Sequence, residues 1–489
     1  MTDEIVDKRW SRRDLLGGAF ASAVAAGGLT FGGFSSAGEK SERLPADADV
    51  VVVGSGIAGL SAAVAAKEAG ANRVLLLEKG PLAGGHSIYS SGSISVVSPA
   101  LQGPKGFQDS PEIFARDAYA FGDSCGDLQI LERIGAESEA ALRWLSSMGV
   151  RFGGLFKARA ETRPRCVSSY GNSAGRSYVL ALMTRAAALD VDVLLEADLR
   201  ALDRVPDGSG WRLGVRLSGL PDLQYLRARA VVLAAGGFGA CREMRMKVMP
   251  ELDPQMQTSA NPFGTLWENR EATAAELARK VGGLWKEGFG LQLLPYWGGR
   301  LIDYAGGDIF ITLRGRRFID EGLAWNKIST AVLRQPEKEI WVITDSASRK
   351  SATLGLKIAN GFVKKSDTVE EMAAGMGIPA AVLKETLDQY NRAARAGFDP
   401  EFGKTIFTQT LDHPPYYWGR ERIFVHTSFD GIATDREARV IDERGIPIPG
   451  LFAAGEFAGG IFGRDRLGGA GISNCLVMGR TAGRNAALL

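Results

Sequence analysis

One apolar run that ends in a glycine-rich turn constrains this chain more than anything else in it. Asp49–Val53 reads as a short buried parallel strand, and Gly54-Ser55-Gly56-Ile57-Ala58-Gly59 follows at once. A helical pattern then runs through Leu60, Ala63, Val64 and Ala66 to Gly70, and a second apolar run, Arg73–Leu77, ends at Glu78 and Lys79. Strand, glycine turn, helix, strand and acid in that order make a dinucleotide-binding unit. Gly54 allows the tight turn, Gly56 lets backbone approach a pyrophosphate, and Gly59 lets the helix pack closely on the strand. The helix start at Ile57 and Ala58 offers free N–H groups and the positive end of the helix dipole to phosphate. Glu78 stands where a ribose hydroxyl would donate to it.

The same domain resumes later. Ala230–Ala235 is another apolar strand running into Gly236, and Gly450–Glu456 is a last strand closing on a small-residue turn with an acid. Arg466–Ser473 then leads into a helix through Val477, Ala482 and Ala486. An insert separates these pieces. It carries β-like segments Ile309–Leu313 and Arg317–Ile319, a strand Ile340–Thr344, and a helix from Pro379, read as its first residue, to Gly397. The expected fold is α/β: a doubly wound, Rossmann-like domain (48–289 and 426–489) interrupted by a smaller α+β clamp, or capping, domain (290–425).

The first residues describe a destination. Arg12-Arg13 precedes a Gly/Ala-rich apolar run, Leu15–Phe34, and a small-x-small ending at Ala37, the pattern of a twin-arginine export signal spanning 1–37. Six glycines in that run make a poor membrane helix, so no stable span is expected after processing and the location is the periplasm. Length and composition agree with a two-domain soluble protein: 489 residues, 45% hydrophobic and 23% charged. A net charge of +2 gives no reason to expect nucleic acid or an anionic membrane as partner. Four scattered cysteines form no metal, iron–sulfur or haem-attachment spacing.

Gly54–Gly59, Gly84-Gly85-His86-Ser87, Val232–Phe238, Arg317–Glu321, Val425-His426-Thr427, Gly455-Glu456 and Arg466–Ser473 together resemble the FAD-dependent oxidoreductase 2 family. The likeness is to its fumarate reductase/flavocytochrome c group, over roughly residues 48–489. The resemblance implies FAD held by Gly85, His86, Ser87, Gly92, Gly236, Glu456, Leu467, Gly469, Gly471 and Ile472, besides the dinucleotide residues above. It implies a mobile clamp over the flavin and hydride transfer at flavin N5 to or from a C–C bond beside a carboxylate or carbonyl. His426, Thr427 and Arg466 would hold the substrate's oxygens, a role that a planar guanidinium fork and a pair of hydrogen-bond donors suit.

Departures from that group are informative. Trp325 stands at the position matching the group's proton-donating Arg, Leu301 and Tyr304 match its relay Glu and Arg, and Leu294 matches a clamp-edge His. This argues against fumarate and for a flatter or bulkier enoate or enone, with Trp325 as a stacking surface and Tyr304 as a candidate acid or base. His86 replaces the Asn usual in soluble relatives. Covalent flavin attachment through it, as in membrane-bound relatives, stays open, and a non-covalent role is favoured.

Two other functions fit the same residues: a ketosteroid-type dehydrogenase with Tyr304 as base, or an electron-transfer flavoprotein subunit without a substrate of its own. Retention of Arg466, His426 and Thr427 favours an enzyme. With no haem motif and no second dinucleotide fingerprint, electrons are expected to be exchanged with a separate protein, a c-type cytochrome being the expected kind. Replacing Arg12 and Arg13 by lysine should strand the protein in the cytoplasm; fractionation that finds undiminished periplasmic activity would refute this export route.

Overall fold

Val50, Val51 and Val52 have no exposed surface, because their β-branched side chains sit in the middle strand of a sheet covered on both faces. The computed structural model describes residues 44–489 except 160, 162, 171–173, 261–270, 297, 303 and 351–353; the expected export signal lies outside the described residues. In chain order the large sheet first receives β1 (Asp47–Val53), β2 (Val74–Leu77), β3 (Asp192–Leu194), β4 (Ala197–Arg204), β5 (Trp211–Leu217) and β6 (Gln224–Leu233). A second sheet is built from β7 (Leu291–Pro295), β8 (Ile309–Thr312), β9 (Glu339–Thr344), β10 (Lys364–Ser366) and β11 (Tyr416–Ser428). The chain then returns to the first with β12 (Arg439–Ile441) and β13 (Pro447–Ala453).

The large sheet runs β12-β13-β6-β1-β2-β3, with β5 pairing β6 and β4 pairing β5. Pairings among β13, β6, β1, β2 and β3 are parallel. From β1 the chain passes to β2 on one side, and only later to β6 on the other. The carboxyl end of β1 is therefore a topological switch point, where open α/β sheets bind their ligands. The glycine turn sits there. Gly54 has φ +103°, and a Cβ on it would lie 2.3 Å from the carbonyl oxygen of Ala234. A Cβ on Gly59 would lie 1.8 Å from the Gly54 carbonyl oxygen, so the helix start must be bare there.

Helix α1 (Ile57–Glu68) is buried at every residue from Ile57 to Ala66. A helix apolar all round has to lie between layers. Its outer neighbour is the C-terminal helix Ala470–Ala487, whose Gly479 and Gly483 meet the Ala58 and Ala62 carbonyls so closely that a Cβ would collide with either.

The second sheet runs β7-β11-β9-β8, with β10 also on β11, and all its pairings are antiparallel. Three details differ from the sequence expectation. Arg317–Ile319 is not a strand; after the tight turn at Gly315 it makes one bridge, Ile311 to Arg317. Pro379 caps its helix (Ala380–Ala396) rather than beginning it. The expected boundary at 425/426 falls inside β11, whose final residues pair with Leu291 and Gln292.

A buried ion network holds the Arg317–Glu321 segment. Arg317 donates to both Glu321 oxygens (2.7 and 2.9 Å) and to Asp399 (2.6 Å), while Lys404 donates to Glu321 at 2.8 Å. Arg159 grips Asp308 with two bonds and also donates to the Glu321 carbonyl. Burial alone would raise the pKa of Glu321, but Lys404 and Arg317 overcome it and hold the carboxyl at about 2. Stability from this group is thus full above its ordinary value of 4.5 and lost as pH falls toward 2. Lys404→Met should cost about 3–5 kcal/mol at pH 7, since it breaks a buried pair by removing one partner. Urea unfolding at pH 7 and pH 3 checks this: the gap between wild type and variant should narrow at the lower pH.

Candidate active site

A cavity of roughly 1680 Å³ opens from the switch point to the second sheet. One drug-sized ligand fills roughly 300–1,000 Å³, so this space suits an extended cofactor together with a second molecule. Gly54, Gly56, Ile57, Ala58, Glu78 and Lys79 line its first end.

There the glycine turn is locked before any ligand arrives. Glu78 accepts from the Ser55 amide (3.0 Å), the Ser55 hydroxyl (2.6 Å) and the Gly80 amide (2.8 Å). Oε2 takes both Ser55 bonds and Oε1 only the Gly80 amide, so Oε1 keeps a lone pair for a ribose hydroxyl. Ser87 Oγ accepts from the Ile57 amide at 3.1 Å, which pins the short 3₁₀ turn Gly85–Tyr89 beside the helix start. Lys79 turns its ammonium to the Glu271 carbonyl. Gly236, Gly85, Gly92, Gly469, Gly471 and Ile472 all line the same cavity. Leu467 does not: its side chain is buried in the main core, so only its neighbours face the ligand space.

At the second end, Arg466, His426 and Thr427 converge. Arg466 donates to His426 Nε2 at 3.0 Å and approaches Thr427 Oγ1 at 3.4 Å. Its backbone amide is held by Asp465 at 2.8 Å, and Asp465 also accepts from Gln292 at 2.6 Å. The buried Nε of Arg466 finds no partner among the described residues, which leaves a donor for a ligand. Burial, with His86, Arg466 and Arg300 nearby, pushes His426 well below the usual histidine range. It is neutral at pH 7.

Between the two ends lies Glu456. Its Oε1 accepts from the Ser428 amide at 2.9 Å, and its Oε2 lies 3.8 Å from His86 Nδ1. His86 Nε2 meets Ser259 Oγ at 2.9 Å, and the same oxygen meets His426 Nδ1 at 2.6 Å.

Two expected roles are altered by what surrounds the residues. Trp325 lines the cavity, but guanidinium groups already lie over its ring, Arg159 at 5.0 Å and Arg300 at 4.7 Å. A stacking substrate therefore competes with an arginine. Tyr304 also lines the cavity, yet its hydroxyl accepts from the Arg349 amide at 2.9 Å, and burial raises its pKa further from neutrality. It can donate a hydrogen bond but is a poor base. Leu294 and Leu301 are buried apolar walls of the cavity. Arg159, Arg300, Ser259 and Gln292 were not anticipated, since none belongs to a motif and each reaches the site through the fold.

Residues 49–472 match the family of FAD binding domains. A probable fumarate reductase of Shewanella frigidimarina is 32% identical over 90% of this chain and 74% of its own length. A urocanate reductase of Eggerthella lenta is 31% identical over 100% of this chain and 85% of its own. Among solved structures, an open flavocytochrome c3 fumarate reductase superposes with a TM-score of 0.70 at 28% identity, covering 100% of this chain and 82% of that one. A 3-ketosteroid-Δ4-(5α)-dehydrogenase from Rhodococcus jostii shares the fold, with a TM-score of 0.67 at 24% identity over 92% of this chain and 98% of that one. The chain belongs to the FAD-binding flavoprotein family and, within it, to the fumarate reductase group. It is an FAD-dependent oxidoreductase of CH–CH bonds.

The cavity residues fit that cofactor: a helix start at the switch point for the pyrophosphate, a cradle at Gly56, and a buried Asn474 Oδ1 on the lining with no partner among the described residues. Gly56 has ordinary backbone angles, and a Cβ there meets Ser87 Oγ at 3.4 Å and the Gly84 carbonyl oxygen at 4.0 Å, both tolerable contacts. Gly56→Val should thus fold normally while its side chain blocks the phosphate path. FAD affinity should fall by at least about tenfold, a cost of about 1.4 kcal/mol, with an unchanged far-UV spectrum. A purified variant that keeps full yellow colour would refute the assignment.

Proposed function

We propose that this protein is an exported, periplasmic flavoenzyme that reduces, or in reverse forms, a carbon–carbon double bond beside a carboxylate or carbonyl. Its substrate is an enoate or enone larger than fumarate. FAD, when bound, supplies or takes up the hydride. The chain's own residues do the rest. Arg466 offers a charged fork to the substrate's oxygens, Thr427 Oγ1 and His426 flank it, and apolar Leu294 and Leu301 exclude water. The observation that carries this reading is the convergence of Arg466, His426 and Thr427 in one cavity with the dinucleotide turn. A pure electron carrier has no use for a buried fork with a donor left over.

Against fumarate stand Trp325, Tyr304, Leu301 and Leu294 on the cavity wall where the group keeps a proton relay. Trp325 cannot fill that role, because the indole N–H is no usable acid near neutral pH. The ketosteroid-type reading needs Tyr304 as base, and its raised pKa argues against that. We propose non-covalent FAD, supported by His86 having a neighbour at each ring nitrogen, Ser259 and Glu456. Electrons would be exchanged with a separate redox protein, a c-type cytochrome being the kind proposed. Export is supported by Arg12-Arg13 and the apolar run after them. Among the described residues no helix is long and apolar enough to cross a membrane.

The test is a panel of enoates and enones added to the dithionite-reduced protein, followed by flavin absorbance. A larger enoate or enone should reoxidise the flavin and fumarate should not. Arg466→Ala should lower turnover of that substrate by roughly 10²–10³-fold with FAD retained. Rapid turnover of fumarate, or an Arg466→Ala protein stripped of flavin, would overturn the proposal.

A further inference from the structure

Arginine only donates hydrogen bonds, and this fixes the direction of a whole chain. Because Arg466 donates to His426 Nε2, that nitrogen carries the lone pair and the ring proton is on Nδ1. His426 Nδ1–H then donates to Ser259 Oγ at 2.6 Å, which turns the serine hydroxyl to its other neighbour, His86 Nε2, at 2.9 Å. His86 is left with its proton on Nδ1, facing Glu456 Oε2 at 3.8 Å. Each tautomer follows from the one before it.

Ser259 is held for this position. Its backbone amide donates to the Val425 carbonyl at 2.9 Å, and the Val425 amide donates to Gln257 at 3.0 Å, so the serine is registered against the residue before His426. The side chain is buried and bridges two imidazoles whose ring centroids are 5.2 Å apart. The charged groups around the pair are Arg466 and Arg300 on the His426 side and Glu456 on the His86 side. A positive charge is thus opposed at His426, while a carboxylate stands beside His86.

We propose that Ser259 and His86 are positioning residues that make His426 the proton carrier of this site, in place of the arginine relay the chain lacks. The proposal rests on the reading of the site as one that reduces or forms a C–C double bond. In reduction, bound reduced FAD would be the reductant and would supply a hydride to one alkene carbon. The other carbon takes a proton from His426 Nε2, which carries one in the substrate-bound state before reduction, where the substrate's oxygens take the Arg466 donor that faces this nitrogen here. His426 Nδ1 takes the Ser259 hydroxyl proton, and Ser259 takes the Nε2 proton of an imidazolium His86. The result is the arrangement seen here, neutral at both rings with protons on Nδ1. The rings and hydroxyl then reset through cavity water with net uptake of one proton. In dehydrogenation His426 Nε2 is the base and the charge ends on His86 beside Glu456.

The chain has three histidines, so ¹⁵N-histidine NMR of the oxidised holoprotein resolves each ring. His426 should be neutral and protonated on Nδ1, and Ser259→Ala should shift its two nitrogens toward a tautomer mixture. Ser259→Ala should also lower kcat on the order of 10–100-fold with KM nearly unchanged, and Ser259→Thr should restore it. A wild-type His426 protonated on Nε2 would overturn the proposal, and this reading stands even where Ser259→Ala fails to fold. So would a Ser259→Ala protein with wild-type kcat and unshifted nitrogens. Expected tautomers in a protein that turns over no enoate or enone would support the hydrogen-bonded chain while removing the substrate reading.

Discussion

The bond from the Ser428 amide to Glu456 joins the two halves of this molecule at the place where chemistry happens. Ser428 is the last residue of the long strand Tyr416–Ser428, which belongs to the second sheet, whereas Glu456 follows the last strand of the large one. The Ser428 hydroxyl takes in addition the amide of Phe238, so the turn after the strand Gln224–Leu233 is tied to the same point. A Cβ on Gly237 would lie 2.2 Å from the Glu456 carboxylate, so that turn passes bare against it. Three loops from two sheets thus share one carboxylate. His426 and Thr427, immediately before Ser428, inherit their positions from it.

How much of this was legible in the sequence depended on the range of the interaction. The dinucleotide unit was legible because its constraints are local: a valine run, a turn that tolerates no Cβ, and a helix with no polar face. Arg466, His426 and Thr427 were legible because they sit in compact motifs, and the fold does bring them together. Ser259 was not. It lies in an unremarkable turn, 167 residues from His426, and only the pairing of that turn with Val425 makes it a neighbour. Arg159 and Arg300 were missed for the same reason. Their effect on Trp325 is a matter of which chain segments meet over a ring, and spacing along the chain does not report that. The long strand was not anticipated: Arg420, Glu421 and Arg422 interrupt its apolar pattern, and Arg420 and Arg422 both pair with Glu339 on the adjacent strand.

The family signature Arg317–Glu321 acquires a physical meaning that its sequence does not carry. Its charges point away from solvent into a network with Lys404, Asp399, Asp308 and Arg159. Buried pairs of this kind contribute little net stability compared with an apolar core, so what they impose is geometry. Here the geometry concerns the next turn of chain: Arg159, fixed by Asp308 and the Glu321 carbonyl, lies over the Trp325 ring and holds the aromatic wall in place. An arginine at position 325 would face Arg159 and Arg300 together, and three guanidinium groups in a low-dielectric pocket repel strongly. Trp325 removes that repulsion and offers its π face to both cations instead.

This exchange changes what a proton donor at the site can be. With Trp325 as an aromatic wall, the titratable group that the Arg466 guanidinium touches in the cavity is His426. Burial and its cationic neighbours keep it uncharged, so it cannot act as a simple imidazolium acid. A neutral imidazole can still deliver a proton from one nitrogen if another proton arrives at the other in the same event. That requires a partner on its far side that both accepts and donates. A hydroxyl satisfies the requirement, and a carboxylate or an ammonium group would not. The pairing of a neutral histidine with a serine, rather than with an acid, is therefore the arrangement that a cation-rich, aromatic-walled flavin site demands.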